Sequence, residues 1–355
     1  MFSQARYPTN PIPPEELDDY LARGWFRTGQ TIFTCAYLHL NEEIYRSYWL
    51  RVVLGEWEQD PFLKKLGKLN AHFTFSVQQA KITPEKEALY EKYKTGITFE
   101  PSESLQTLLF HSGDHDIYHT LEIDVYEKDK LIAVGFFDIG SNSAAGIASF
   151  YDPEYKKYSP GKFLIYQKML YCKRQKLDYF YLGYFAPGCK AFDYKLGIAQ
   201  TALEFLDLTT DQWKDIRTWD GVTTSLKECQ DKLTLMQEEL SRLNIESHVH
   251  DYQYFQANLV KDLQGYELFD HIQFIYLFPF DRESINPLLV YDFRDRQYHL
   301  LNCISIALLQ EVQEPVNSFS AQLLKIREKI FSTREASDMA EMLVAVFPLL
   351  TKRSG

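Results

Sequence analysis

Seven cations crowd one short stretch of an otherwise acidic chain. Between residues 152 and 176, Lys156, Lys157, Lys162, Lys168, Lys173, Arg174 and Lys176 oppose only Asp152 and Glu154, a local charge of +5. Clustered ammonium and guanidinium groups attract phosphates, and a basic island on an acidic protein suits a localised anion site. Read without context, the same run is a solvated helix face. Within it, Tyr158-Ser159-Pro160-Gly161-Lys162 has the form of a helix start. Such a start presents N–H groups and a favourable dipole to an anion. Pro160 carries no N–H, and Gly161 is the only glycine that lets the backbone come close, so a pyrophosphate cradle is weakly supported. A second cluster, His111, Asp114, His115, Asp116 and His119, has the residue types that ligate metals. Its Ser-Gly-Asp-His-Asp run reads as a loop that breaks helical spacing, so no metal site is expected there. His248 and His250 read as surface residues. No Ser-His-Asp arrangement for nucleophilic catalysis is visible.

The elements that must position these groups belong to a folded chain. It has 355 residues, 45% of them hydrophobic, with 24 Tyr and 25 Phe that need burial, which excludes general disorder. The length suggests two or three domains. A net charge of −11 argues against a protein whose whole surface holds nucleic acid, and no DNA partner is expected. No apolar run approaches the ~20 residues of a membrane span. The first residues lack the apolar core of a secretory signal. Five scattered cysteines form no disulfide framework, so a cytoplasmic location is expected.

Hydrophobic spacing predicts helices over 15–23, 61–69, 84–94 and 102–110, the third capped by Thr83 with Pro84 at its first position. Strands are expected over 31–38, 48–54 and 72–77. The centre is the best patterned region. Leu121, Ile123 and Val125 alternate with polar neighbours, a turn falls at 127–130, and strands follow over 131–137 and 146–151. A helix over 160–175 with Ser159 as N-cap then leads to a strand over 178–184. On that strand Tyr179 and Tyr181 share one face, while Phe180, Leu182 and Tyr184 share the other, so a regular strand lets only one of Tyr181 and Tyr184 line a cleft. Further on, Leu226, Cys229, Leu233, Met236, Leu240 and Leu243 step by 3 and 4, an amphipathic helix expected to pack within its own domain. Strands are expected over 273–278, 288–293 and 297–303, and terminal helices over 319–331 and 336–347.

Antiparallel meander, helix, strand is the order of a GNAT-type acyltransferase fold. The fold class expected is α+β, a GNAT-like mixed sheet with flanking helices, plus a C-terminal α+β domain. The quoted segments also run in a familiar order: Asp138-Ile139-Gly140-Ser141, Phe150-Tyr151-Asp152-Pro153, Ser159-Pro160-Gly161, Tyr181-Leu182-Gly183-Tyr184, Gly188-Cys189-Lys190 and Tyr194-Lys195. With Arg23-Gly24-Trp25-Phe26-Arg27-Thr28-Gly29 upstream, residues 15–208 resemble the arginyl-tRNA–protein transferase family, including its leucyl-transferring branch. The resemblance implies transfer of an amino acid from a charged tRNA to the N-terminal α-amine of a protein or a related amine. It makes aminoacyl-tRNA and an acceptor protein the partners, with no cofactor and no membrane. The alternatives are a GNAT-type acyltransferase with a CoA or carrier donor, and a non-catalytic binding relative.

The resemblance also implies roles. Asp138 and Asp152 would orient an amine, and Tyr181 or Tyr184 would line the cleft. Ser159, Gly161, Lys162, Lys156 and Lys157 would meet the donor, and Lys190, Tyr194 and Lys195 the acceptor. The implied divisions are 1–100 as the family's N-terminal region, 101–208 as the GNAT-like domain, and 209–355 as a C-terminal α+β domain of unassigned role. The chain departs from the pattern in three places. Pro160 replaces the usual leucine of the helix start, one of two paired arginines is Phe26, and the N-terminal cysteine cluster is reduced to Cys35. One thiolate cannot hold a four-ligand iron–sulfur centre, so no cluster is expected.

Overall fold

A computed structural model describes residues 2–40, 43–58, 61–97, 101–111, 116–219, 221, 224–276, 286–308 and 322–351. The chain opens with β1 (Ser3–Arg6), α1 (Pro14–Ala22), β2 (Phe26–Thr28), β3 (Thr31–Cys35), β4 (Tyr37–Leu40), β5 (Glu43–Arg46) and β6 (Tyr48–Val53). Next come α2 (Pro61–Leu69), β7 (Thr74–Gln79), α3 (Pro84–Lys94) and α4 (Leu105–Phe110). The centre holds β8 (Thr120–Glu127), β9 (Lys130–Ile139), β10 (Ser143–Tyr151), α5 (Pro160–Arg174) and β11 (Tyr179–Phe185). β12 (Leu203–Asp207), β13 (Gln212–Asp215) and α6 (Thr224–Arg242) follow. The chain continues through β14 (His248–Asp251), β15 (Gln273–Tyr276), β16 (Asn286–Asp292), β17 (Gln297–Leu308), β18 (Gln322–Thr333) and α7 (Ala336–Thr351).

One eight-stranded sheet organises the first two thirds, in the order β13-β12-β6-β11-β10-β9-β8-β7. Every neighbouring pair is antiparallel except β10 and β11, which run parallel across the α5 connection. This is the GNAT-like mixed sheet that the element order predicts. The alternation read at Leu121 to Val125 becomes β8, with Ile123 and Val125 buried. Thr83 caps α3 as expected, its hydroxyl accepting from the Lys86 N–H at 3.3 Å. β6 comes from before residue 100 yet sits between β11 and β12, and β12 with β13 carries the sheet across residue 208. The sequence reading missed β12 and β13 altogether.

α5 lies over β8, β9 and β10, burying Phe163, Leu164, Tyr166, Met169 and Cys172 in the core between helix and sheet. A five-stranded antiparallel sheet, β14-β15-β16-β17-β18, forms the rest, with α6 against it. Cys229, Leu233, Met236 and Leu240 face that core, joined by Phe2 and Tyr37 from the far end of the chain. The helix expected over 319–331 is a correction. Residues 319–321 lie outside the described residues, and Gln322–Thr333 is the edge strand β18, hydrogen-bonded along β17. Its Leu, Lys, Arg and Glu content favours a helix locally, but twelve residues of ladder with β17 override that preference.

Candidate active site

Two irregularities in the sheet create the cleft. β10 and β11 pair only over Ser143–Ala145 and Tyr179–Tyr181. Beyond Ala145 the strands continue without pairing each other. β10 also carries a bulge against β9 between Gly146 and Ala148, which leaves Ile147 without an opposite residue. The start of α5 closes the top of this opening. The resulting cavity holds about 430 Å³ and is lined by Gly146 to Ser149 of β10, Phe180 and Leu182 of β11, Ser159, Gly161, Lys162, Ile165 and Lys168 around α5, with Tyr93, Tyr151, Lys156, Tyr194 and Lys195. Among the described residues four lysines line it and no aspartate or glutamate does.

Of the residues expected to meet the donor, Ser159, Gly161, Lys162 and Lys156 line the cavity, and Lys157 packs over the Tyr158 ring at 5.0 Å instead. Ser159 does not cap α5 with its side chain. It adopts a left-handed conformation (φ 54°) that ends the 3-10 turn Pro153–Tyr158 and starts the helix in one residue. Of the acceptor candidates, Tyr194 and Lys195 line the cavity and Lys190 is an exposed residue away from it. Lys195 donates to the Tyr184 carbonyl at 2.7 Å and lies over the Tyr184 and Phe192 rings, and burial pulls its pKa down to about 7.

Lys168 is the residue that the sequence reading placed wrongly. Counted there with the surface cations, it is buried beneath the cavity floor, 1% exposed. Its Nζ donates to the Phe136 carbonyl (2.8 Å), the Ala148 carbonyl (2.9 Å) and the Ser149 hydroxyl (3.0 Å). Burial lowers its pKa to about 7, outweighing the opposing pull of Cys172 and Asp138. Only glycine at 135 leaves room for it, because a Cβ there would stand 2.7 Å from Lys168 Cε. The signal was present in the sequence. Leu164, Lys168 and Cys172 are spaced i, i+4, i+8, which puts the lysine in the middle of the apolar stripe of α5.

The two carboxylates stand outside the cavity. Asp138 is fully buried, accepts from Arg27 Nη1 at 2.8 Å and from the Thr120 hydroxyl at 2.7 Å, and burial raises its pKa against the pull of Arg27. Arg27 also donates to the carbonyls of Gly29 and Leu109, so the Arg23–Gly29 segment is bolted to β8 and β9 through it. Asp152 caps the 3-10 turn by accepting from the Glu154 N–H at 3.0 Å. Burial pushes its pKa up, but Lys92 and Lys130, each at 2.9 Å, hold it below the usual carboxylate range.

Neither tyrosine of the strand lines the cavity. A bulge between Tyr181 and Gly183, where Gly183 takes φ +77°, shifts the alternation by one. Tyr184 therefore joins Tyr179 and Tyr181 on the face away from α5, packed with Trp49, while Phe180, Leu182 and Phe185 face the helix side. In the His/Asp cluster, Asp114 and His115 lie outside the described residues, and Asp116 sits 3.7 Å from Arg27.

The family model described as arginine-tRNA-protein transferase, C terminus, matches residues 85–204. An aspartate/glutamate leucyltransferase of Leptospira interrogans serogroup Icterohaemorrhagiae serovar copenhageni is 31% identical over 193 residues, covering 52% of this chain and 72% of the relative. The chain belongs to the arginine-tRNA–protein transferase family. An aspartate/glutamate leucyltransferase of Campylobacter jejuni strain RM1221 is 25% identical over 218 residues, covering 59% of this chain and 87% of the relative. Among solved structures, the ribosomal-protein-S18-alanine N-acetyltransferase from Escherichia coli has a TM-score of 0.22 at 12% identity, covering 29% of this chain and 61% of that one. Membership supports aminoacyl-tRNA-dependent transfer over a CoA- or carrier-dependent reaction and over a non-catalytic relative, and it makes the chain an aminoacyltransferase. The matched segment contains the whole meander, α5, β11 and every residue that lines the cavity. The cysteine cluster found in other members of the family has no fit here. Cys35 is the only cysteine before Cys172, and burial pushes its thiol up to about 12. Among the described residues no helix is long and apolar enough to cross a membrane.

Proposed function

We propose that the chain transfers leucine from leucyl-tRNA to the N-terminal α-amine of proteins that begin with aspartate or glutamate, and that the cleft between β10 and β11 is where ester and amine meet. One observation carries the reading: a cavity lined, among the described residues, by four lysines and no carboxylate. An arginyl donor would bring a guanidinium among four lysines with no carboxylate among the described lining residues to pair it, whereas a leucyl side chain finds Ile147, Ile165, Phe180 and Leu182. The names of the relatives point the same way, to leucyl transfer onto aspartate and glutamate. Such a donor is made in the cytoplasm, which is therefore the proposed location.

Phosphates of the donor's 3′ end meet Lys156 and Lys162 beside the helix start, and its terminal base meets Tyr93 and Tyr151, whose rings lie 5.4 Å apart. Lys195 takes the side-chain carboxylate of the acceptor. The cationic lining also favours the reactive form of the nucleophile. An α-amine titrates near ~8 in water, and like charges around it shift it toward the neutral form. The amine nitrogen attacks the ester carbonyl carbon, and the C=O pair moves onto oxygen. On collapse the carbonyl re-forms, the bond to the ribose oxygen breaks, and the proton lost by the amine ends on that ribose hydroxyl. Catalysis then consists of positioning and of stabilising the transient oxyanion.

The test is a panel of charged tRNAs against peptides with acidic, neutral and basic N-termini, read by mass spectrometry. Leucine is expected on peptides that begin with Asp or Glu. A preference for arginyl-tRNA, or transfer from an acyl-CoA without RNA, contradicts the proposal.

A further inference from the structure

We infer that the Ser149 hydroxyl, backed by the buried ammonium of Lys168, donates the hydrogen bond that receives the negative charge developing on the ester oxygen. The inference rests on the aminoacyl-transfer reading of this cleft and deepens it by naming the oxyanion donor.

An ammonium has three N–H groups and no lone pair. The three from Lys168 go to the Phe136 carbonyl, the Ala148 carbonyl and Ser149 Oγ. While Lys168 is an ammonium, the form it keeps below its lowered pKa of about 7, Ser149 is an acceptor toward it and its own proton points elsewhere. Among the described residues no acceptor for that proton is found, and Ser149 lines the cavity. A hydroxyl that accepts from a cation is polarised into a stronger donor.

Two of the three bonds have a structural use, satisfying the Phe136 and Ala148 carbonyls beside the bulge, but the third goes to a hydroxyl that lines the cleft. A buried cation is costly unless a carboxylate pairs with it, and none does among the described residues. Asp138, the acid whose charge reaches Lys168, is committed to Arg27 and Thr120. Gly135 leaves Lys168 its space, since a Cβ there would stand 2.7 Å from Lys168 Cε. Placing that ammonium at the bulge of β10, behind a hydroxyl that opens into the cleft, puts a positive potential where the reaction makes an anion. The helix start is short of one donor there, because Pro160 has no N–H.

Steady-state kinetics with leucyl-tRNA and an Asp-initiated peptide test it. Ser149→Ala is expected to lower kcat about 100-fold with little change in either KM. Ser149→Thr, which keeps the hydroxyl, restores most of the rate. In the double variant Ser149→Ala/Lys168→Met the two losses do not multiply, since both act through one hydrogen bond. Ser149→Ala deletes a single oxygen, and an unchanged melting temperature confirms that it folds. A kcat for Ser149→Ala within about threefold of wild type, or an effect confined to KM, overturns the inference while leaving the transfer reading intact. Absence of transfer by the wild-type chain overturns the reading, and the inference with it.

Discussion

Arg27→Met is expected to cost about 3–5 kcal/mol of folding stability at neutral pH, the penalty for leaving a buried carboxylate without its cation. Asp138 is 1% exposed and Arg27 is its only cationic partner within bonding distance among the described residues. Burial already raises the Asp138 pKa in the folded chain, and loss of Arg27 raises it further. The folded state then holds a proton that the unfolded state releases at an ordinary carboxylate pKa. By linkage the variant loses stability as pH rises through that interval and regains it on acidification. Chemical denaturation of Arg27→Met at two pH values reads this directly. Adding Asp138→Asn should recover most of the loss, because a neutral amide needs no cation. A variant as stable as wild type at neutral pH would show that the ion pair does not anchor the N-terminal segment.

Lys195→Met is expected to raise KM for Asp- and Glu-initiated peptides about 10- to 100-fold, the worth of one charge-assisted hydrogen bond, while leaving peptides with neutral N-termini unaffected. The pH dependence has a definite sign. Burial brings Lys195 down to about 7, so its ammonium disappears as pH rises past neutrality. KM for acidic peptides should climb above that point in the wild-type chain and stay flat in the variant. Equal losses for acidic and neutral peptides would assign Lys195 to the scaffold through its bond to the Tyr184 carbonyl.

The parts of the fold that were legible in the sequence are those fixed by local chemistry. Thr83 and Pro84 mark the start of α3, the period-two pattern of Leu121 to Val125 marks β8, and the 3-and-4 spacing from Cys229 to Leu240 marks the buried face of α6. What escaped depends on partners distant in sequence. Tyr184 changes face because of a one-residue bulge set by pairing with β6, and nothing in Tyr-Leu-Gly-Tyr beyond its glycine announces it. β18 is a strand because β17 lies beside it. At the candidate site the basic stretch was recognised, but its division was not. Lys156 and Lys162 reach the cavity, Lys173 binds the Trp57 carbonyl, and Lys168 goes inward to a niche that Gly135 opens from another strand. The two aspartates drew attention through their motifs, and three-dimensional contacts make both of them anchors, one for the Arg23–Gly29 segment and one for the turn that leads into α5.

The central claim, that the lysine-lined cleft receives the charged 3′ end, is tested most directly by photo-crosslinking from the terminal adenosine. A tRNA carrying a photoreactive adenine at its 3′ end, charged with leucine and bound to the full chain, should attach to Tyr93 or Tyr151 and lose its crosslink in Lys156→Glu/Lys162→Glu. Attachment outside the cavity, undiminished by that charge reversal, would contradict the account.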